Sequence, residues 1–177
     1  MGYEVRKATL EDRDEIARLI AESARLLSRE HYDNAQIEAA VAAVFGVDTD
    51  LIDDGTYYVV EQDGTMIGCG GWSRRKKLYG GDHFPIHDAG MLDPAVDPAR
   101  IRSFFVHPEH ARKGVAGAML SVCEREAQAH GFRTLELMST LPGVKFYEVN
   151  GFSHIGNFEL DLPEGVKLPL VPMRKHL

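Results

Sequence analysis

The chain has 177 residues, 44% of them hydrophobic and 27% charged, and its 20 Lys plus Arg against 27 Asp plus Glu leave a net charge of −7. That length suits a single domain over residues 1–177, with a core that needs no disulfide or metal staple. The acidic balance excludes broad, sequence-independent nucleic-acid binding, and the longest uncharged stretches fall far short of the roughly 20 apolar residues of a membrane helix.

The chain opens on mixed charge at Glu4, Arg6, Lys7, Glu11 and Asp12, which is no secretory signal. Residues 3–7 read as a first strand. Thr9 then starts a helix, with Asp12 placed for a capping box. Ile16, Leu19, Ile20, Ser23 and Leu27 follow at helical spacing and form its inner face. A second helix spans residues 34–45, with Asp33 as N-cap and Gly46 as its stop.

The period then switches to two. Residues 57–62 and 66–73 read as strands of a hairpin turning at Asp63-Gly64. Residues 74–99 are loop-like, rich in Gly and Pro, and long enough to suggest a functional loop. Residues 101–106 form the next strand; its alternation sets Ile101, Ser103 and Phe105 on one face and Arg102, Phe104 and Val106 on the other. Residues 114–130 form the best-defined helix, with Val115, Met119, Val122, Cys123 and Ala127 inward and Gly131 as its C′ residue. Residues 134–138 read as a buried strand, 142–150 as a short helix closed by Gly151, and 152–160 and 168–173 as two final strands. The fold class is α/β (α+β), a mixed, mostly antiparallel sheet with about four helices; the strand–helix–strand unit over residues 101–138 requires one parallel pair.

The densest chemical signal is the run Phe104-Phe105-Val106-His107-Pro108-Glu109-His110-Ala111-Arg112-Lys113-Gly114-Val115-Ala116-Gly117. A strand and turn lead into a helix start with almost no side chain. Unpaired amides and the helix dipole attract an anion there, Gly114, Ala116 and Gly117 let it approach, and Arg112 and Lys113 add positive charge. The run is neither a Walker-A loop nor a Rossmann fingerprint. Its alternative reading is a closely packed helix start with solvated basic residues.

This segment resembles motif A of the GNAT superfamily of N-acetyltransferases, whose pattern Gln/Arg-x-x-Gly-x-Gly/Ala falls on residues 111–116, with Ala111 in place of the first Gln or Arg. The run Lys145-Phe146-Tyr147-Glu148-Val149-Asn150-Gly151-Phe152 resembles the superfamily's aromatic-Tyr-x-x-x-Gly-Phe segment, and the element order is similar throughout. The resemblance implies a splayed parallel pair that holds acetyl-CoA as cosubstrate without a metal. Ala111, Arg112, Lys113, Gly114, Val115, Ala116 and Gly117 are then at its diphosphate, and Phe104, Phe105 and Val106 along its pantetheine. It also implies transfer of acetyl to the primary amine of a small-molecule or peptide acceptor, and Tyr147 as general acid. A phenol is protonated at neutral pH and can donate, although Tyr147 also reads as a packing aromatic.

No base is evident. Arg100 and Arg102 stand where some members carry a Glu, and Glu61, Asp82, His83, Asp88 and His107 are the candidates. Trp72 either walls an acceptor pocket or fills the sheet core. Ser139 and Thr140 either bind an acceptor or cap the turn before Pro142. The basic run Arg74-Arg75-Lys76-Lys77 is an electropositive patch or a solvated cluster. His83 with His87 and His107 with His110 read as scattered loop histidines rather than zinc ligands. Cys69 and Cys123 read as buried hydrophobes, consistent with a cytoplasmic setting. A homodimer is compatible with the resemblance. The missing base motivates an alternative, a non-catalytic acyl-CoA sensor of the same fold; a basic-patch binder is a third reading.

Overall fold

A computed structural model describes residues 2–84 and 90–177. In chain order the elements are β1 (Glu4–Lys7), α1 (Arg13–Leu27), α2 (Asn34–Ala43), α3 (Thr49–Asp54), β2 (Tyr57–Gln62), β3 (Thr65–Ser73), β4 (Ala99–Val106), α4 (Val115–Ala129), β5 (Thr134–Thr140), α5 (Val144–Val149), β6 (Ser153–His154), β7 (Phe158–Asp161) and β8 (Lys167–His176). The strands form one sheet in the order β1-β2-β3-β4-β5-β8-β6, with β7 also paired to β8.

Local chemistry explains most boundaries. Asp12 accepts from the Thr9 amide at 2.7 Å and starts a 3-10 turn that runs into α1. Asp33 caps α2, accepting from Gln36 N at 2.8 Å while the Gln36 side chain accepts from Asp33 N at 2.9 Å. Asp63 and Gly64 both take positive φ, 51° and 77°, as a two-residue hairpin turn requires. Gly131, at φ 89°, follows the end of α4.

The described residues hold five helices rather than about four. The added one, α3, is a six-residue helix, too short to show a period; Asp48 caps it by accepting from Asp50 N at 3.1 Å, and Gly55 ends it in the left-handed conformation. The strand expected over residues 152–160 is broken into β6 and β7. Pro172 lies opposite the break and has no amide to give, so β8 accepts only from Ile155 there, at 2.9 Å. Leu27 leaves the expected inner face of α1 and is 37% exposed, while Ala24 takes the buried place. On α4, Leu120 is buried where Val122 was expected.

One face of the sheet is covered by α1, α2 and α3, the other by α4 and α5. The feature that matters for function lies at the centre. β4 and β5 run parallel but pair only at Ala99↔Leu135 and Arg100↔Glu136. Beyond these residues the strands separate, and the β5-facing edge of β4 has no strand partner. Among the described residues no helix is long and apolar enough to cross a membrane.

Candidate active site

A cleft of about 970 Å³ occupies the gap between β4 and β5. Its walls include residues 101–106 of β4, the turn into α4, residues 137–140 of β5, α5, and the end of α1 with the turn after it. The gap thus opens toward both faces of the sheet.

β4 reaches this gap through a bulge. Cys69 pairs with Phe105 and Gly71 with Arg102, so Ser103 and Phe104 together oppose Gly70. Ser103 sits at φ 53°, and its carbonyl accepts from the Tyr57 hydroxyl at 2.9 Å. The Phe104 ring lies over Gly70, where a Cβ would come within 2.5 Å of it. The bulge overturns the simple alternation expected for this strand. Ile101, Phe104 and Val106 pack on the α4 side, whereas Phe105 packs on the α1 side.

The turn into α4 is built to leave its amides bare. Arg112 and Gly114 take φ of 60° and 85°. Ala118 N is the first helical amide bonded back, to Gly114 O at 3.1 Å. The amides of Val115, Ala116 and Gly117 have no acceptor among the described residues. Gly117 has open space where a Cβ would be, and the Gly114 carbonyl is held by the Tyr3 hydroxyl at 3.1 Å. Arg112 and Lys113 are exposed. Phe104, Phe105, Val106, Ala111, Arg112, Gly114, Val115, Ala116 and Gly117 all line the cleft; Lys113 does not.

Tyr147 also lines the cleft from α5. Its ring is 8% exposed and packs edge-on against Phe146 and Phe152, with centroids at 5.0 and 5.4 Å, and against Phe104 at 6.4 Å. Burial pushes its hydroxyl well above the ordinary phenol value, so it stays protonated through the neutral range. The hydroxyl has no hydrogen-bond partner among the described residues. Ser139 and Thr140 line the cleft as well. The Ser139 hydroxyl donates to Thr140 O at 2.7 Å, and neither caps the turn that follows.

Other sequence candidates lie elsewhere. Trp72 is fully buried on the α4 side, against Phe132 and His130, and does not reach the cleft; it fills the core because β3 alternation points it at α4. Glu61 is held by Arg6. Asp82 accepts from Thr49 N at 2.9 Å. The His83 ring packs against Gly46. His107 accepts from Glu109 N at 3.1 Å through Nδ1, with Nε2 at 3.8 Å from Glu22. None of these four lines the cleft, and Asp88 and His87 lie outside the described residues. Among the described residues no group of three or more His, Cys, Asp or Glu is arranged to hold a metal ion. The basic run is partly consumed internally: Arg75 pairs with Asp54 at 2.8 Å, and Lys77 donates to Gly81 O at 3.1 Å beside Asp48. Both cysteines are buried and free, and burial pushes the Cys69 thiol up to about 12.

Two groups that sequence reasoning missed hold the α1-side wall. Arg102, 2% exposed, donates to Asp48 at 2.6 Å, to Gly80 O at 2.5 Å and to Lys77 O at 3.2 Å, fixing the loop that carries Tyr79. Burial works against the charge on both Arg102 and Asp48, and their contact offsets it. Tyr32 donates to Pro169 O at 2.5 Å and accepts from Leu141 N at 3.0 Å, joining the α1–α2 turn to β8 and to the end of β5. Burial raises its hydroxyl to about 12. Their partners lie 22 to 137 residues away in sequence, so no local pattern signals them.

The acetyltransferase (GNAT) family profile matches residues 15–152. Among solved structures, the chain is similar to a GCN5-related N-acetyltransferase from Rhodopseudomonas palustris, with TM-score 0.74, 18% identity, and 100% of this chain and 97% of that one covered. It is similar to the PaiA N-acetyltransferase of Thermoplasma acidophilum in complex with coenzyme A, with TM-score 0.67, 16% identity and 100% of both chains covered. It is also similar to YncA of Salmonella typhimurium, described as an acetyltransferase and solved with its cofactor acetyl-CoA, with TM-score 0.65, 18% identity, and 100% and 95% covered. No curated protein matches. At these identities the structures speak for the fold, and the profile, spanning most of the chain, speaks for the family. The chain belongs to the acetyltransferase (GNAT) family and is an enzyme of the N-acetyltransferase type.

Proposed function

We propose that this protein, acting as one domain over residues 1–177, moves an acetyl group directly from acetyl-CoA to a primary amine. The observation that carries this reading is a cleft open to both faces of the sheet, with bare α4 amides at one end and Tyr147 along its wall. A two-sided gap lets both substrates meet without a covalent enzyme intermediate. The complexes of the Thermoplasma and Salmonella proteins with coenzyme A and acetyl-CoA support the choice of cosubstrate.

The residues fit that cosubstrate. The Val115, Ala116 and Gly117 amides, with Arg112 and Lys113 beside them, match a diphosphate. Ala111 offers no side chain for that purpose, but the backbone donors do not depend on it. The free edge of β4 at Phe104 to Val106 can pair with the pantetheine amides as an added strand would. When bound, acetyl-CoA supplies the activated acyl carbon. A backbone N–H near Val106 stabilises the charge developing on the acyl oxygen. The neutral amine nitrogen forms the new C–N bond and gives up its extra proton to solvent. The C–S bond breaks, Tyr147 donates its proton to the departing sulfur, and the phenolate regains a proton from solvent, matching the one the amine released.

The test pairs calorimetry with thiol release. Wild-type protein is expected to bind acetyl-CoA, and Tyr147→Phe to lower kcat by about 100-fold with acetyl-CoA affinity unchanged. Absence of heat with acetyl-CoA overturns the reading. Equal loss of affinity and turnover in the variant removes the acid role from Tyr147.

A further inference from the structure

The charges that line the cleft are unevenly distributed. Among its described residues Glu30 is the one carboxylate, and it is exposed at the mouth. The cations are Arg29, Arg102, Arg112 and Lys145. An amine acceptor bearing several positive charges finds no set of carboxylates here, and meets a field of its own sign.

An acceptor bearing a carboxylate fares no better on the α1 side. Arg102 is the buried cation of that wall, and it is already neutralised by Asp48 at 2.6 Å and donates to two backbone carbonyls. Lys77 lies outside the lining, 4.0 Å from the same Asp48, and donates to Gly81 O. Arg29 is exposed, and its Nε donates to Arg25 O at 3.1 Å. No buried, uncommitted cation faces this part of the cleft among its described residues.

Beside Ser28 and the exposed Arg29, Glu30 and His31, most of the side chains that face it are apolar. Leu26, Leu27, Phe45, Tyr79, Phe105 and Leu170 line the α1-side half. Phe45 and Phe105 stand edge to face at 5.5 Å, and Tyr79 is braced by Phe84 and Phe158 at 5.4 and 5.8 Å. Leu26 and Leu27 are 42% and 37% exposed: two leucines at the end of an amphipathic helix that the protein's own core does not cover.

Resting on the acetyl-transfer reading above, we propose that the acceptor is a primary amine whose remaining body is apolar and uncharged, an alkyl- or arylalkylamine. Its body packs between Leu26, Leu27 and the Phe45–Phe105 pair, and its nitrogen points toward the split strands. This choice also bears on the missing base. Apolar walls disfavour the ammonium form, so the site selects the neutral amine that the reaction needs. An acidic residue in the wall would hold the proton on.

The experiment measures acetyl-CoA-dependent thiol release with 2-phenylethylamine, n-hexylamine, spermidine and glutamate, beside calorimetry with acetyl-CoA alone. The two apolar amines are expected to exceed spermidine and glutamate at least tenfold in kcat/KM. Acetyl-CoA binding with equal or better turnover of spermidine or glutamate overturns the proposal and leaves the cosubstrate reading standing. Acetyl-CoA binding with no turnover of either apolar amine does the same. Absence of acetyl-CoA binding overturns both. Leu27→Glu places a carboxylate in the wall at a solvated position. It is expected to lower kcat/KM for 2-phenylethylamine at least tenfold, to raise that for spermidine, and to leave the KM for acetyl-CoA unchanged. Leu26→Glu is the second variant should the first not fold. Unaltered preference in a folded variant counts against the proposal.

Discussion

The two ends of the cleft are made of different materials. At the α4 end, one contiguous run of residues presents bare backbone amides, and side chains are small or absent. At the α1 end, side chains from α1, the segment after α2, the loop before Gly81, β4 and β8 converge, and their positions depend on buried polar groups behind them. A backbone site tolerates side-chain change but not a change of φ. A side-chain site tolerates local change but fails when its supports move. The two ends are therefore expected to break in different ways.

The largest effect is expected at the support of the α1 end. Arg102→Met leaves Asp48 buried, with Lys77 at 4.0 Å as its remaining cation and the Gly80 carbonyl stripped of its donor. Breaking a buried pair from one side costs about 3–5 kcal/mol, read as a fall in the urea midpoint. The double variant Arg102→Met/Asp48→Leu removes the unpaired buried carboxylate but also the cap of α3, and leaves the Gly80 carbonyl without its donor, so it is expected to recover only part of that loss. In variants that fold, the KM for the acceptor rises severalfold through the loosened Tyr79 loop, and the KM for acetyl-CoA does not change. A rise in both would show that the two ends are not separable.

Next comes the converse lesion. Gly114 holds φ 85°, and a Cβ there meets the Tyr3 hydroxyl at 3.3 Å. Gly114→Val forces a β-branched residue into a left-handed conformation, which costs about 1–3 kcal/mol, and the turn is expected to rearrange. Acetyl-CoA affinity is expected to fall about tenfold, the equivalent of roughly 1.4 kcal/mol, with acceptor KM unchanged. Loss at the acceptor alone would contradict the assignment of this turn.

The same contrast explains what a reader of the sequence can see. The α4 end is local: a strand, a turn, glycines at fixed spacing and a helix with Gly131 behind it all lie within about 30 consecutive residues. The Asp63-Gly64 hairpin and the Asp33 cap are legible for the same reason. The α1 end is not local. Tyr32 bonds to Pro169, Arg102 to Asp48, and Phe45 packs on Phe105. Alternation along β4 misleads because the bulge at Ser103 depends on Gly70 and Tyr57, which belong to other strands. Trp72 misleads differently: a lone tryptophan invites a functional role, but its neighbours in space, Phe132 and His130, make it core. Helix α3 is hidden by brevity, and the β6–β7 break by a proline on the facing strand.

The smallest effect is expected where an ion pair holds the α1 side but stands away from the cleft. Asp12 receives Arg6 through two contacts of 2.8 Å and also caps the turn that starts α1. The hydrogen bond from Arg6, offset in part by burial, brings its carboxyl down to about 2. A carboxyl whose folded pKa lies below its unfolded value, near 3.9, contributes stability above pH 4 and loses it as pH falls toward 2. Arg6 is 37% exposed, so solvent keeps the contribution small. Asp12→Asn is expected to cost about 0.5–1 kcal/mol at pH 7, and the gap between variant and wild type should narrow as pH drops from 4 toward 2. A gap as wide at pH 2 as at pH 7 would mean that the cap, not the charge, is what Asp12 supplies. The kinetic expectation is stricter. The leucines that line the cleft sit at the other end of α1, roughly 20 Å along a 15-residue helix, so acceptor KM should not move. If it does, the α1 end is held by the whole helix rather than by the buried groups beside the cleft, and the separation drawn between Arg102 and the rest of that wall is wrong.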